Sequence, residues 1–213
     1  MDDLDSQVMD QEYKKELLEI LYIRSFRFDP EKGFKLTSGA TSDVYIDVKK
    51  TALSSEAMEL IGSTFFNILK MQPVDAIGGM TLGADPLAYA AAMFCTLNGK
   101  YMDAFVIRKE PKKHGTEEWI EGNVRPDASV VIVEDVVTTG GSTIKAVERA
   151  RAAGLNVRAV IALVDREEGG REKIEEATKL PFVAVYTKTD FLELHKERTE
   201  KTKKKPEVVR PDF

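Results

Sequence analysis

Apolar residues along the chain change their rhythm near Pro73. Before it they fall at helical spacing or in brief alternations; after it, short continuous apolar runs take turns with helical stretches. Tyr13, Leu17, Ile20, Leu21 and Arg24 have the spacing of one helix face, which predicts an amphipathic helix from about Gln11 to Phe26, with the polar residues 1–10 frayed. Alternation at Phe34 and Leu36, and again at Val44, Ile46 and Val48, predicts short strands around a turn carrying Gly33 and Gly39. Ser54 or Ser55 then opens a helix whose apolar side is Met58, Ile61, Phe65, Ile68 and Leu69.

Beyond Pro73 the order strand, helix, strand predicts a parallel sheet. Val74–Ile77, Ala104–Ile107, Ser129–Val133, Val157–Val164 and Phe182–Tyr186 are its strands, the first ending in Gly78-Gly79. Asp85 as cap and Pro86 in the first turn start a helix that runs through Leu97. A second helix, Thr143–Ala153, stops at Gly154 as a left-handed C-terminal cap; a charged helix follows, and Thr189 caps the last one. The predicted fold class is α/β, a Rossmann-like parallel sheet flanked by helices, with a small N-terminal cap. We read a single domain: a cap over about residues 1–50, a core over about 51–195 and a basic tail, 196–213, loosely docked or disordered.

Composition changes this picture little. With 213 residues, 43% hydrophobic and 31% charged, the chain has the length and make-up of one globular domain. A net charge of −5 argues against a general nucleic-acid or membrane-surface binder, so an anionic ligand must meet a local basic cluster. The only cysteine, Cys95, sits in an apolar helical run, as core filler in a reducing, cytoplasmic protein. No apolar run approaches membrane-spanning length, and the acidic start (Asp2, Asp3, Asp5) is unlike a signal peptide.

The chemistry concentrates where the third strand of the sheet ends. Val130-Val131-Ile132-Val133 lead into Glu134-Asp135, then Val136-Val137, then Thr138-Thr139-Gly140-Gly141-Ser142-Thr143 at a helix start. Open α/β sheets place ligands at the carboxyl ends of their strands. A helix N-terminus favours phosphate, Gly140 and Gly141 permit close backbone approach, and Thr138, Thr139, Ser142 and Thr143 offer hydroxyl donors. Carboxylates suit sugar hydroxyls or a metal-bound ligand instead; phosphate at one end and a diol at the other describe a ribose 5-phosphate. A bare strand–loop–helix junction would explain one acid but not two followed by this run. Gly78 and Gly83 have nucleoside-triphosphate-loop spacing, but Ala84-Asp85 stand where its Lys and Ser/Thr belong, and no three-glycine dinucleotide fingerprint follows any strand.

Other residues share that edge. The long connection between Ile107 and Val130 carries Arg108, Lys109, Lys112, Lys113 and His114, either a solvated charge run or an anion clamp for a departing diphosphate. The turn Gly78–Gly83 is either a tight connection or a set of N–H donors for the same diphosphate. Arg166, after Asp165, makes a surface ion pair or holds a substrate carboxylate. His114 and His195 lack partners at zinc-ligand spacing, so any Mg²⁺ is expected to arrive with phosphates and to have no direct protein ligand.

Together these stretches resemble the orotate phosphoribosyltransferases, from about Phe34 to Gly170. Val131–Gly140 resembles the family's phosphoribosyl-diphosphate motif, Arg108–Gly115 its flexible catalytic loop, Phe34–Gly39 with Tyr45-Ile46-Asp47 its base-binding segment, and Val164–Gly170 the segment of its orotate-contacting arginine. The resemblance implies transfer of a phosphoribosyl group from 5-phosphoribosyl 1-diphosphate to orotate, with Mg²⁺, in pyrimidine biosynthesis. It implies that Glu134 and Asp135 hold the ribose hydroxyls and that 138–142 (Thr138, Thr139, Gly140, Gly141, Ser142), with Val136 and Val137 beside them, cradle the 5′-phosphate. Arg108, Lys109, Lys112 and His114 would bind diphosphate, Lys109, Asp135, Lys112 and His114 being the catalytic set; Thr138 and Arg166 would face orotate. A homodimer with shared sites, its basic loop closing over the neighbour's site, is implied too.

Two positions depart from the family's pattern. Leu82 and Thr37 stand where many members have lysines; Lys35, on the same side of an extended strand as Thr37, could stand in for the second. The rivals are a phosphoribosyltransferase for another base, against which Arg166 argues, and a non-catalytic phosphoribosyl-diphosphate sensor, against which the retained basic loop argues. At this length a fused decarboxylase is not expected.

Overall fold

In the computed structural model, residues 3–35, 41–111 and 119–203 are described, with side chains from residue 11 to 202. The chain begins with helix α1 (Asp3–Ser25), which starts well before Gln11. Its Leu17 and Leu21 are fully buried, as the helical spacing requires. Four short strands follow: β1 (Phe26–Phe28), β2 (Phe34–Lys35), β3 (Thr41–Ser42) and β4 (Val44–Ile46). They form two antiparallel pairs, β1 with β4 and β2 with β3. The alternation reading finds β2 and β4 but misses β1, a three-residue strand continuous with the helix pattern; Leu36 and Gly39 lie outside the described residues. Val48 belongs not to a strand but to the start of a four-residue helix, α2 (Lys49–Ala52). Helix α3 (Ser55–Leu69) follows Ser54 as expected, although the Ser54 hydroxyl makes no capping bond.

The main sheet is built from β5 (Ala76–Met80), β6 (Asp103–Ile107), β7 (Ile120–Glu121), β8 (Ser129–Val137), β9 (Asn156–Asp165) and β10 (Phe182–Thr187). Its spatial order is β10-β9-β8-β5-β6-β7, parallel throughout except β7, which runs antiparallel on β6. Four helices connect or follow these strands: α4 (Asp85–Leu97), α5 (Gly141–Ala152), α6 (Gly170–Thr178) and α7 (Lys188–Lys203). Val131 and Val133 of β8 pack with α1, α3 and α4, whereas Val130 and Ile132 face α5 and α6. With both faces covered, the strand has no polar side, which is why it reads as a continuous apolar run.

Several boundaries differ from the sequence reading. β8 does not stop at Val133; it continues through both acids, with Glu134 opposite Ala162 and Val136 opposite Val164 of β9. β5 likewise runs through its two glycines, because a Cβ on Gly78 would lie 2.2 Å from the Phe105 carbonyl oxygen and one on Gly79 2.1 Å from that of Val133. Asp85 is the first residue of α4 rather than its cap: Ala84 holds that position, and Asp85 instead accepts a hydrogen bond from Thr81 Oγ1 at 2.7 Å. At α7, Asp190 accepts from the Thr187 N–H at 2.6 Å, while Thr189 is tied to Glu167.

The topology fixes where a ligand can bind. From β5 the chain adds β6 on one side; it then crosses to place β8, β9 and β10 on the other. Connections therefore leave β5 and β8 in opposite directions, opening a crevice at their carboxyl ends.

Candidate active site

The carboxyl end of β8 carries Glu134 and Asp135 in succession, so the pleat sends them to opposite faces of the sheet. Asp135 points into a cleft of about 650 Å³. Lys35, Tyr45, Ile46 and Lys49 of the N-terminal segment form one wall; Asp135, Val136, Thr138 and Thr139 form the floor; Arg166 and Glu168, after β9, close the far side. Glu134 turns the other way and is 6% exposed. It accepts hydrogen bonds from Ser142 Oγ at 3.1 Å and Thr143 Oγ1 at 2.9 Å. Burial, followed by the field of Asp135, pushes the Glu134 carboxyl up to about 8 despite those two donors.

Two expectations change as a result. The acids do not form one exposed negative pair: Asp135 is the carboxylate on the cleft, and Glu134 is a buried strut beneath α5 whose burial favours its protonated form. Ser142 and Thr143 likewise give their hydroxyls to Glu134, leaving Thr138 and Thr139 as the hydroxyls on the cleft. At the start of α5 the groups left to meet an anion are backbone N–H groups, since those of the first turn have no intrahelical acceptor. Gly140 makes the turn possible at φ +77°, and a Cβ there would lie 2.8 Å from Ile174 Cγ1. Gly141 is open, with nothing within 4 Å of a Cβ. The Val137 side chain is in the core; its carbonyl accepts the Arg166 N–H at 2.9 Å.

Asp135 is held from two sides. A Cβ on Gly83 would meet its carboxylate atoms at 2.3–2.5 Å, so the β5–α4 turn lies directly against the acid. On the cleft side Lys49 Nζ is 3.8 Å from Asp135 and 2.8 Å from Asp47. Asp47 foremost, then the field of Asp135, hold the Lys49 ammonium above its usual range despite partial burial. Lys49 was not expected from the sequence: a basic pair in a four-residue helix has no period to mark it. Leu82 in the same turn is 58% exposed, without charge to offer an anion.

Arg166 is 4% exposed, deep for an arginine. Its Nη2 donates to Ser42 Oγ at 3.0 Å and to the Val44 carbonyl at 3.2 Å, and pairs with Glu168 at 2.8 Å. The basic loop is brought only partly to the site. Arg108 and Lys109 line a separate hollow of about 370 Å³ with Thr81, and Arg108 pairs with Glu121 at 3.0 Å. Lys112, Lys113 and His114 lie outside the described residues, as does Thr37. His195 is not among the residues lining the cleft and packs among Tyr22, Phe26 and Phe28. Among the described residues no cluster of three or more His, Cys, Asp or Glu could hold a metal ion.

The arrangement provides a pocket lined by Lys35, Lys49 and a buried guanidinium, with a carboxylate at its floor and the N-terminus of α5 beside it. No family model matches the chain. Among curated proteins it is 42% identical over 179 residues to the orotate phosphoribosyltransferase of Aquifex aeolicus, covering 84% of this chain and 97% of that one. It is 44% identical over 182 residues to the enzyme of that name from Sorangium cellulosum, covering 84% and 93%. Among solved structures it resembles Mycobacterium tuberculosis orotate phosphoribosyltransferase in complex with 5-phospho-alpha-D-ribosyl 1-diphosphate, at 30% identity and a TM-score of 0.68, covering 84% of this chain and 92% of that one.

Proposed function

The chain belongs to the orotate phosphoribosyltransferase family, and on that premise we infer that its cleft takes orotate against Arg166 and phosphoribosyl diphosphate against Asp135 and the start of α5. It is an enzyme, a pentosyltransferase: it joins the phosphoribosyl group of 5-phosphoribosyl 1-diphosphate to orotate, giving orotidine 5′-phosphate and diphosphate, in pyrimidine biosynthesis. The observation that carries the placement is the buried Arg166 beside Thr138 on one cleft. A guanidinium held out of water recognises a carboxylate more strongly than a neutral base edge.

In this reading the phosphate lies on the N–H groups after Gly140, and Thr138 and Thr139 donate at its edge. Asp135 accepts from the ribose hydroxyls, with Glu134 supporting the α5 turn beneath them. As the bond to diphosphate lengthens, the ribose becomes cation-like, and the negative charge fixed at Asp135 stabilises it. Arg108, Lys109, Lys112 and His114 take the charge gathering on the departing diphosphate. Lys35, on the cleft wall, supplies positive charge to the same site. Mg²⁺ belongs to this reading, neutralising the diphosphate; held by phosphate oxygens and water, it needs no direct protein ligand. A homodimer and a cytoplasmic location belong to it as well, the latter supported by the free, buried Cys95. No described helix is long and apolar enough to cross a membrane.

The test is direct. Protein, orotate, phosphoribosyl diphosphate and Mg²⁺ are mixed and the orotate absorbance followed; it should fall, and should persist when chelator is added first. Turnover with a purine or uracil but not orotate overturns the assignment of Arg166.

A further inference from the structure

Arg166 already has a carboxylate beside it. Glu168 Oε1 lies 2.8 Å from Nη2, on the wall of the same cleft, while the buried Nε has no acceptor among the described residues. The loop is built to present that acid. Glu167, at φ +56°, turns outward and accepts from the Thr189 N–H and hydroxyl at 2.9 and 2.7 Å. Its own N–H donates to Asp165 Oδ1 at 2.9 Å, and Asp165 pairs with Arg171 at 3.5 Å. With Glu167 pinned to α7, Glu168 is left facing the cleft, its side chain 26% exposed against 5% for Arg166.

We propose that Glu168 is a displaceable internal counter-ion: it occupies the place of the substrate carboxylate at Arg166 in the empty enzyme and competes with orotate for it. The proposal rests on the assignment of Arg166 to orotate. A buried guanidinium without a counter-charge is strongly unfavourable, so the empty site needs an acid there. Glu168 serves with one contact where a forked carboxylate makes two, and its partial exposure lets it return to water when displaced. An anionic pyrimidine can therefore exchange with it, carboxylate for carboxylate. A neutral pyrimidine cannot, because moving Glu168 aside would strand the guanidinium. Selectivity for an acidic base then comes from the cost of the wrong ligand as much as from the attraction of the right one.

The experiment compares Glu168→Gln with the natural protein, using orotate and phosphoribosyl diphosphate in steady-state assays. If Glu168 holds Arg166 most of the time, only the remaining fraction accepts orotate, and removing the competitor should lower the orotate KM about three- to tenfold. The KM for phosphoribosyl diphosphate should not move. An orotate KM that is unchanged or raised overturns the proposal, a rise showing that Glu168 orients Arg166 rather than competing for it. Failure of the natural protein to turn over orotate sinks the Arg166 assignment instead, so the two failures are distinguishable. If thermal melting shows E168Q unfolded, Glu168→Asp, which keeps the charge but shortens the reach, carries the same expectation.

Discussion

The guanidinium of Arg149 lies over the Trp119 ring, 3.9 Å from its centroid, joining the last turn of α5 to the far end of the basic loop. The same side chain donates from Nη1 to the Arg108 carbonyl at 2.7 Å and from Nη2 to the Lys109 carbonyl at 3.4 Å. Arg108 N–H donates to the Trp119 carbonyl at 2.8 Å, closing the loop at its base. One residue of α5 thus touches both stems of the basic loop. Arg149→Met keeps the apolar stem but loses the stack and both bonds. We expect kcat/KM for phosphoribosyl diphosphate to fall roughly tenfold or more, as loss of about 1–3 kcal/mol implies. The orotate KM should move far less. Equal effects on both substrates would mean that Arg149 supports the fold generally.

Trp119 is the only tryptophan, so its emission reports this junction alone. Adding phosphoribosyl diphosphate with Mg²⁺ should change its intensity or wavelength, and the change should be lost in Arg149→Met. An emission spectrum indifferent to ligand in the natural protein would show that binding does not reach the loop stems.

The relations behind these expectations differ in how visible they are in the chain. Val130–Val133 reads as a buried strand because both its faces are covered, and the acids and glycines after it mark the ligand edge. The strand's continuation through Glu134 and Asp135 is a matter of backbone pairing with β9, which hydropathy does not record. Pleating then separates two acids that the sequence presents as a pair. Arg149 looks like one more surface position of a charged helix, and Glu168 like part of an acidic loop. Their partners lie across the fold or behind a left-handed turn, so only three-dimensional packing assigns them. β7 is two residues long inside an aperiodic connection, too short for any pattern to show.

Glu134 ties stability to pH. Its carboxyl titrates near 8 in the folded chain, against an ordinary value of 4.5, chiefly because it is buried. Between those values the folded state keeps a proton that the unfolded state has lost, so the slope of stability with pH is negative. The stabilisation is complete below about 4.5, declines as pH rises through about 8, and is then flat. Glu134→Gln mimics the protonated acid and can still accept from Ser142 and Thr143. Its melting temperature should therefore fall less than that of the natural protein between pH 6 and 9, measured by calorimetry at about constant ionic strength. Parallel pH profiles for the two proteins would show that Glu134 is ionised in the fold.

Gly83 offers a sharper test of the site itself, because its effect should run through one neighbour. A methyl group there would meet Asp135 Oδ1 at 2.3 Å and Oδ2 at 2.5 Å, so either the β5–α4 turn or the carboxylate must shift. The acid is the freer of the two, since β5 is a central strand and its glycines are packed against backbone. Overpacking of this kind costs about 1–3 kcal/mol, and if it falls on the placement of Asp135, kcat should drop roughly five- to hundredfold. Asp135→Asn alone should lose at least as much. The double variant decides the mechanism: if Gly83→Ala acts by displacing Asp135, adding it to Asp135→Asn should cost little more, a coupling read directly from the double-mutant cycle. Additive losses in kcat would show that the glycine serves the diphosphate side of the turn independently of the acid.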